Sequence, residues 1–332
     1  MNKLQRTESL LSPSLNLRSV KWADAEAVAK LILDVCTADG DPIAAMTSDE
    51  LRHEWETDGF NLEDDAFLVE TEGGRVVGYE ELASGHAYSR LYFDGCVHPE
   101  FKGRGIGTTL LRTMEARAHE EMVKAEPAVR VVVRCTMGSG DVDGRELHEN
   151  EGYHPVRYQY RMEIKLEDVP PAPVWPNDIE LRPFIREQHE RAVWQAQNES
   201  FHDNWESQDV SFEDFAHNRF DDPEYDPSLW AIAWDGDEAA GFSINRYRMG
   251  IGWIRTLGVR RPWRKKGLGL ALLQYSFGEF YKRGMKTIGL GVDASNPTGA
   301  IRLYQRAGMY VASEFVVYEK ELRPGREPEE ES

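Results

Sequence analysis

The chain contains the same pattern twice, and that duplication limits its fold more than any other feature of the sequence. "LNLRSVKWADAEAVAKL" from Leu15 and "IELRPFIREQHERAVWQ" from Ile179 both read as an alternating strand running into a helix, 164 positions apart. "AFLVETEGGRVVGY" and "LWAIAWDGDEAAGF" each place two apolar runs around a glycine-containing turn, the mark of a hairpin. "VHPEFKGRGIGTTLL" from Val97 matches "VRRPWRKKGLGLALL" from Val259 at an offset of 162, and "RELHENEGY" around Gly152 matches "AIRLYQRAGM" around Gly308 at 156. Four matches in one order, with a slowly drifting offset, describe a duplicated domain and not a short-period repeat. A length of 332 residues suits two cores.

Between the copies, the four prolines of "LEDVPPAPVWPND" cannot continue a helix or an inner strand. The reading is therefore a first domain over residues 1–166, a linker over 167–177, a second domain over 178–322 and a disordered acidic tail over 323–332. Each copy runs strand, helix, polar segment, hairpin, a third strand ending at Val97 or Val259, helix, strand, helix, last strand, which is a mixed α/β fold. Leu270, Leu273, Phe277 and Phe280 recur at helical spacing after Gly269 until Gly284 stops the run, and "TIGLGVDA" alternates as a strand. Asn296 and Pro297 read as the N-cap and first turn of the next helix.

Composition narrows the partners. With 58 Asp and Glu against 39 Lys and Arg, the formal charge of −19 repels a phosphate backbone, so nucleic acid is not an expected partner. No signal peptide and no apolar run long enough to span a bilayer stands out, and three scattered cysteines suit a reducing cytoplasm without a metal site. In so acidic a chain, Arg264, Lys265 and Lys266 beside Gly267 and Gly269 need a local reason. A strand that feeds a glycine loop and then a helix points free backbone N–H groups at one spot, with the helix dipole behind them. Gly105 and Gly107 repeat the arrangement in the first copy. A pyrophosphate is the natural guest. The dinucleotide pattern would need a glycine where Thr108 stands, and the GxxxxGK[ST] pattern is absent from both copies.

The spacing that does fit resembles the GCN5-related N-acetyltransferase (GNAT) superfamily, whose loop has the form [QR]xxGx[GA], matched here by Arg264, Gly267 and Gly269. The resemblance runs through both halves, and the second is similar to the C-terminal domain of the mycothiol synthase family. It implies two tandem GNAT domains and acetyl-CoA as the acyl donor, with the pyrophosphate on Arg264, Lys265, Gly267, Leu268 and Gly269. Backbone groups of Leu257 and Val259 would meet the pantetheine arm, Asn296 would add a contact, and Tyr304 would serve the departing sulfur as general acid. In the first half Val97, Lys102, Gly105 and Gly107 are the matching cofactor positions. Lys102 replaces the leading Arg or Gln there, His148 replaces Tyr304 and Gly140 replaces Asn296, so the first domain reads as a degenerate copy and the second as the catalytic one.

Acetyl transfer needs a neutral amine, orientation, oxyanion stabilisation and a proton for the thiolate, but no covalent enzyme intermediate. Glu199, with His202 and Asp203 in "ESFHDNW", is the candidate base. Residues 37–65 hold ten acids against Arg52, and residues 199–226 ten acids against Arg219, so a cationic small-molecule amine is one expected acceptor, with solvated acidic faces as the alternative. Three readings stay open: an N-acetyltransferase acting on an amine, an acetyl-CoA-binding sensor or scaffold without turnover, and transfer of a longer acyl group or a mycothiol-synthase-like reaction. Oligomeric state is not legible.

Overall fold

The computed structural model describes residues 11–205 and 209–327. They fall into two compact units: residues up to Val156 together with those from Val316 onward, and Arg157–Phe315.

In the first unit, β1 (Leu15–Ser19), β2 (Ala66–Thr71), β3 (Val76–Ser84) and β4 (Arg90–Val97) form an antiparallel run, and β4 is joined in parallel by β5 (Val131–Gly138). One face is covered by α1 (Ala25–Ala38), α2 (Ser48–Trp55) and the single turn α3 (Leu62–Asp65). Val28 and Leu31 of α1 and Leu51 and Trp55 of α2 pack there on Leu68 and Tyr79. The start of α2 is fixed by a capping box in which Thr47 and Glu50 exchange hydrogen bonds, satisfying two backbone N–H groups that the helix leaves open. On the other face α4 (Ile106–Glu121) buries Leu110, Leu111 and Met114, and α5 (Val142–Asn150) follows β5.

The second unit repeats this plan with β7 (Ile179–Arg182), α6 (Arg186–Phe201), α7 (Phe212–Phe220), β8 (Ala231–Asp235), β9 (Glu238–Arg248), β10 (Ile251–Val259), α8 (Leu268–Lys282), β11 (Thr287–Asp293) and α9 (Ala300–Arg306). Leu272, Leu273, Phe277 and Phe280 of α8 are buried, and Gly284, in left-handed conformation, ends the run as its position suggested. Between α8 and the sheet lies a closed polar network. Asn245 Nδ2 donates to the Leu229 carbonyl (2.7 Å) and to Ser276 Oγ (3.0 Å), while Ser243 Oγ donates to Asn245 Oδ1 (2.9 Å). Every partner is satisfied, which is what allows such groups in a core.

Three expectations change. The compact units do not follow the repeat boundary near 166. From Arg157 onward β6 (His154–Lys165) belongs to the second unit, where it pairs antiparallel with β11 from Thr287↔Lys165 to Asp293↔Gln159. Conversely β12 (Tyr310–Arg323) belongs to the first unit from Val316, where Val316 and Tyr318 enter the core and Glu319 pairs with Arg130 and Arg134 (2.7 and 2.6 Å). The copies exchange last strands, which a repeat in sequence cannot reveal. The acidic tail is also ordered as far as residue 327. Arg130 N donates to the Arg326 carbonyl (2.8 Å), Arg326 N to the Ala128 carbonyl (2.9 Å), and Arg323 to the carbonyls of Glu126 and Val129. Residues 328–332 lie outside the described residues. Finally, Asn296 does not cap a helix. Its Oδ1 accepts from Thr298 N (2.9 Å) and Oγ1 (2.5 Å) in a turn, and α9 starts later behind Gly299, whose φ is +80°. No helix among the described residues is long and apolar enough to cross a membrane.

Candidate active site

Both units contain the same opening. In the first, β4 and β5 pair only from Arg90↔Val132 to Phe93↔Cys135 and then part. In the second, β10 and β11 pair only from Gly252↔Ile288 to Ile254↔Leu290. Beyond these points each strand keeps its other neighbour, so among the described residues Leu257 and Val259 in one unit and Val97 in the other have no strand partner on the gap side, although the Val259 carbonyl accepts from Arg264 Nε (2.9 Å).

A glycine loop closes the end of each gap. Gly105 (φ +79°) and Gly267 (φ +92°) are the residues before α4 and α8, in a backbone conformation that side chains disfavour. The first intrahelical bonds are Thr109 N to the Gly105 carbonyl and Ala271 N to the Gly267 carbonyl, so the N–H groups of residues 106–108 and 268–270 project from the helix start. Gly107 and Gly269 serve packing. A Cβ on Gly107 would lie 2.9 Å from Leu147, and one on Gly269 3.1 Å from Leu303. Those leucines precede His148 and Tyr304, so each loop abuts the helix that carries the candidate acid. Two backbones built alike at the mouths of two parted strands can each receive a pyrophosphate and a thin arm threaded between the strands.

The first unit's opening is a cavity of about 480 Å³, lined among others by Glu80, Gly95, Lys102, Gly105, Gly107 and His148. Lys102 Nζ sits 3.3 Å from Asp141 and 3.4 Å from Asp143. His148 is held by the Gly144 carbonyl at Nδ1 (2.8 Å), and burial pushes its pKa down, so the ring is neutral at neutral pH. Glu80 is buried with no hydrogen-bond partner among the described residues, and burial, reinforced by Asp94 and Glu115, pushes it up to about 8. On the opposite face of β3, Glu81 accepts from Tyr79 Oη and from Trp55 Nε1 (3.1 Å) and is also raised to about 8 by burial. Its cross-strand partner Asp94 is raised to about 6 by desolvation, with the Gly95 backbone hydrogen bond opposing.

In the second unit Tyr304 is 7% exposed among α8 and β11 side chains, and its hydroxyl has no partner among the described residues. Burial pushes it up to about 12, so it stays a donor. The cations of the loop are partly engaged. Arg264 donates to the carbonyls of Val259 (2.9 Å) and Ser200 (2.9 Å) and to Asp203 (2.6 Å), which locks the end of β10 to the end of α6. Lys265 takes a left-handed φ of +61° and is exposed. Of the candidate bases, Glu199 pairs with Arg260 at 2.5 Å, and Asp203 is held far below the usual carboxylate range by Arg261 and Arg264. Glu199 and His202 line a separate depression of about 570 Å³ with Trp194, Asn198 and Arg261. Neither carboxylate is thus free as a base. Asn296 Nδ2 approaches Asn204 Oδ1 at 3.5 Å.

Sequence reasoning missed a group beside the gap. Between Ile254 and Thr256 the β9–β10 register slips, and Arg255 occupies the bulge. Arg255 and Arg246 (3.0 Å) both bind Asp222, while Arg219 donates to Gln197 Oε1 (3.2 Å) and Thr256 Oγ1 (3.1 Å). The signal was present, since Ile254 and Leu257 face the same core three positions apart and so break strand alternation.

Comparison with known proteins finds the acetyltransferase (GNAT) family over residues 190–309 and a GNAT acetyltransferase domain over residues 63–154. The chain is similar to a GCN5-related N-acetyltransferase from Sphaerobacter thermophilus, with 36% identity, a TM-score of 0.80, and coverage of 96% of this chain and 99% of that one. A tandem GNAT protein from the clavulanic acid biosynthesis pathway shares the fold, with a TM-score of 0.69 at 18% identity over 94% of this chain and all of that one. The mycothiol acetyltransferase of Geodermatophilus obscurus is 25% identical over 297 residues, 86% of this chain and 91% of its own length.

Proposed function

Starting from a chain that belongs to the GNAT acetyltransferase family, we propose that it transfers the acetyl group of acetyl-CoA to the nitrogen of a small-molecule amine, and that the second unit performs the transfer. The observation that carries this reading is the conjunction in the second unit of a parted strand pair, a glycine loop that aims N–H groups at one spot and an unpartnered buried phenol on the adjoining helix. The relatives named mycothiol acetyltransferase support a small amine as acceptor. The first unit keeps the gap and the loop but offers a neutral histidine in place of the phenol, which supports binding of the same donor without transfer.

In this reading the helix starts at Leu268 and Ile106 take the pyrophosphates, with Lys265 and Lys102 adding charge. The arm lies along Leu257 and Val259, whose backbone groups orient the thioester where β10 leaves β11. The neutral amine attacks the carbonyl carbon directly and the C–S bond breaks. Tyr304 donates a hydrogen bond to the departing sulfur, and its high pKa makes that contribution one of position and polarity more than of full proton transfer. The amine proton leaves to water, since Glu199 and Asp203 are tied to arginines.

The test is calorimetric titration of acetyl-CoA into the wild type, Gly105→Asp and Gly267→Asp, with thiol release over an amine panel as a second readout. Each substitution places a side chain and a negative charge at a left-handed residue behind the phosphate site. Two sites in the wild type, one in each variant and loss of turnover in Gly267→Asp alone are expected. Absence of binding in the wild type overturns the reading, and loss of turnover in Gly105→Asp alone reverses the roles of the units.

A further inference from the structure

Three arginines gather beside the second unit's gap. Ile244 packs among α6 and α7 side chains, and Arg246, two residues along β9, shares that face, whereas Asn245 turns to Ser276 of α8. Thr256 lies across from Ile244. Arg219 from α7, Arg246 from β9 and Arg255 from the bulge of β10 therefore meet on one face, at the point where β10 stops pairing with β11. Asp222 anchors two of them and is itself buried, while Arg255 keeps about a quarter of its side chain (24%) accessible. Arg219 Nε is buried with no partner among the described residues. Arg219 is pushed down to about 9, by burial first and then by Arg255, with Arg246 adding and Asp222 opposing.

Building on the acetyl-transfer reading of this same gap, we propose that Arg219 and Arg255 receive an anionic group, a carboxylate or a phosphate, on the acceptor, so that the amine acetylated here belongs to an acidic small molecule. Guanidinium groups fixed by neighbours present a planar fork that suits either anion. Arg246 and Asp222 act as positioning residues that hold Arg255 in the bulge. The acidic segment 199–226 therefore does not make a negative rim for a cationic amine at this point, because its Asp222 is engaged by arginines.

The experiment uses the full chain and two probes, N-acetylglycine for a carboxylate and inorganic phosphate for a phosphate. Calorimetry with CoA comes first, and a wild type that takes no CoA overturns the acetyl-transfer reading and this inference with it. Each probe is then titrated into CoA-saturated protein, with the phosphate sites of the loops occupied. One probe binding the wild type, and binding at least about tenfold weaker to Arg219→Met and Arg255→Met, is the expected result, in line with loss of a charged hydrogen bond. Unchanged CoA affinity in the variants certifies their fold, and Arg255→Lys, which keeps the charge but loses the fork, falls between. If CoA binds but neither probe does, or if both variants bind as the wild type does, the inference fails while the acetyl-transfer reading stands.

Discussion

The two units answer one architectural problem with opposite chemistry. Where β4 ends, the face toward α1 and α2 carries Asp94 and Glu81, and the opposite face carries Glu80. Where β10 ends, the corresponding faces carry Arg255 beside Arg219, and a satisfied Ser243 within a serine–asparagine network. The β3–β4 ladder runs in register from Gly78↔Val97 to Ser84↔Leu91, whereas the β9–β10 ladder slips at Arg255. A bulge re-aims the side chains that follow it. Duplication thus preserved the strand–loop–helix backbone proposed to take a phosphate arm and let the side chains beside it diverge. The lesson is that a loop motif reports donor binding, while the strand one turn away reports what happens to the donor.

The sharpest way to break this contrast is to exchange its acids. Tyr304→Phe removes only the hydroxyl, and turnover is expected to fall about a hundredfold, with acetyl-CoA affinity within about twofold of the wild type. His148→Phe, at the matching position, should change turnover by less than about twofold. Because burial holds Tyr304 protonated to about 12, wild-type kcat should show no loss up to about pH 10 on its account. Equal losses in the two variants would mean that both gaps do chemistry.

Much of the frame was readable beforehand because it rests on short-range rules. The hairpins, the ends of β4 and β10 at Val97 and Val259, and the stop at Gly284 follow from period-two alternation and left-handed glycines, which act within a few residues. The exchange of last strands did not show, because "RYQYRMEIK" and "EFVVYEKELR" are equally good strands for either unit, and strand identity does not name a partner. Asn296 misled for a related reason. Asn before Pro suits a helix cap and an isolated turn alike, and in the fold α9 begins only after Gly299. At the site, the loop glycines were legible since their spacing is itself the structure. Glu199 was not, since its fate depends on Arg260, 61 residues away. Arg219, Asp222, Arg246 and Arg255 form a cluster only after three elements fold together.

A second difference between the units shows in stability. Glu80 carries an ordinary carboxyl value of 4.5 when unfolded and about 8 when folded, so the folded chain holds the extra proton between those values. By linkage, stability is highest near the lower end of this window and declines as pH rises through it, the reverse of a salt-bridged carboxylate. Glu81 acts in the same direction, whereas the second unit has Ser243 where the first has Glu80. Glu80→Gln removes the penalty of an unpartnered buried charge and should stabilise the first unit at pH 8 by about 1–3 kcal/mol, with little change at pH 5. Denaturant unfolding at the two pH values measures this. The same gain at both would place the effect in packing and not in ionisation.

The smallest expected effect concerns the loops, where the copies agree in backbone but differ in one residue. Gly103 and Lys265 occupy the same place and both take positive φ, +73° and +61°, yet only lysine is strained there. A left-handed lysine costs roughly 1–2 kcal/mol, part of which glycine returns as unfolded-state entropy, so Lys265→Gly should stabilise the second unit by about 0.5–1 kcal/mol. A strained residue persists where its side chain is needed. If the ammonium meets the pyrophosphate, the same variant should weaken acetyl-CoA binding at that site about threefold at low salt, and less as salt screens the charge. Gly103→Lys in the first unit should show the mirror image, with lower stability and tighter binding. A gain in stability with unchanged affinity would make Lys265 a relic of the copy and leave the helix start alone to hold the phosphates. Opposite shifts in the two units would instead show that the second loop exchanges stability for affinity at a position where the first never made the exchange.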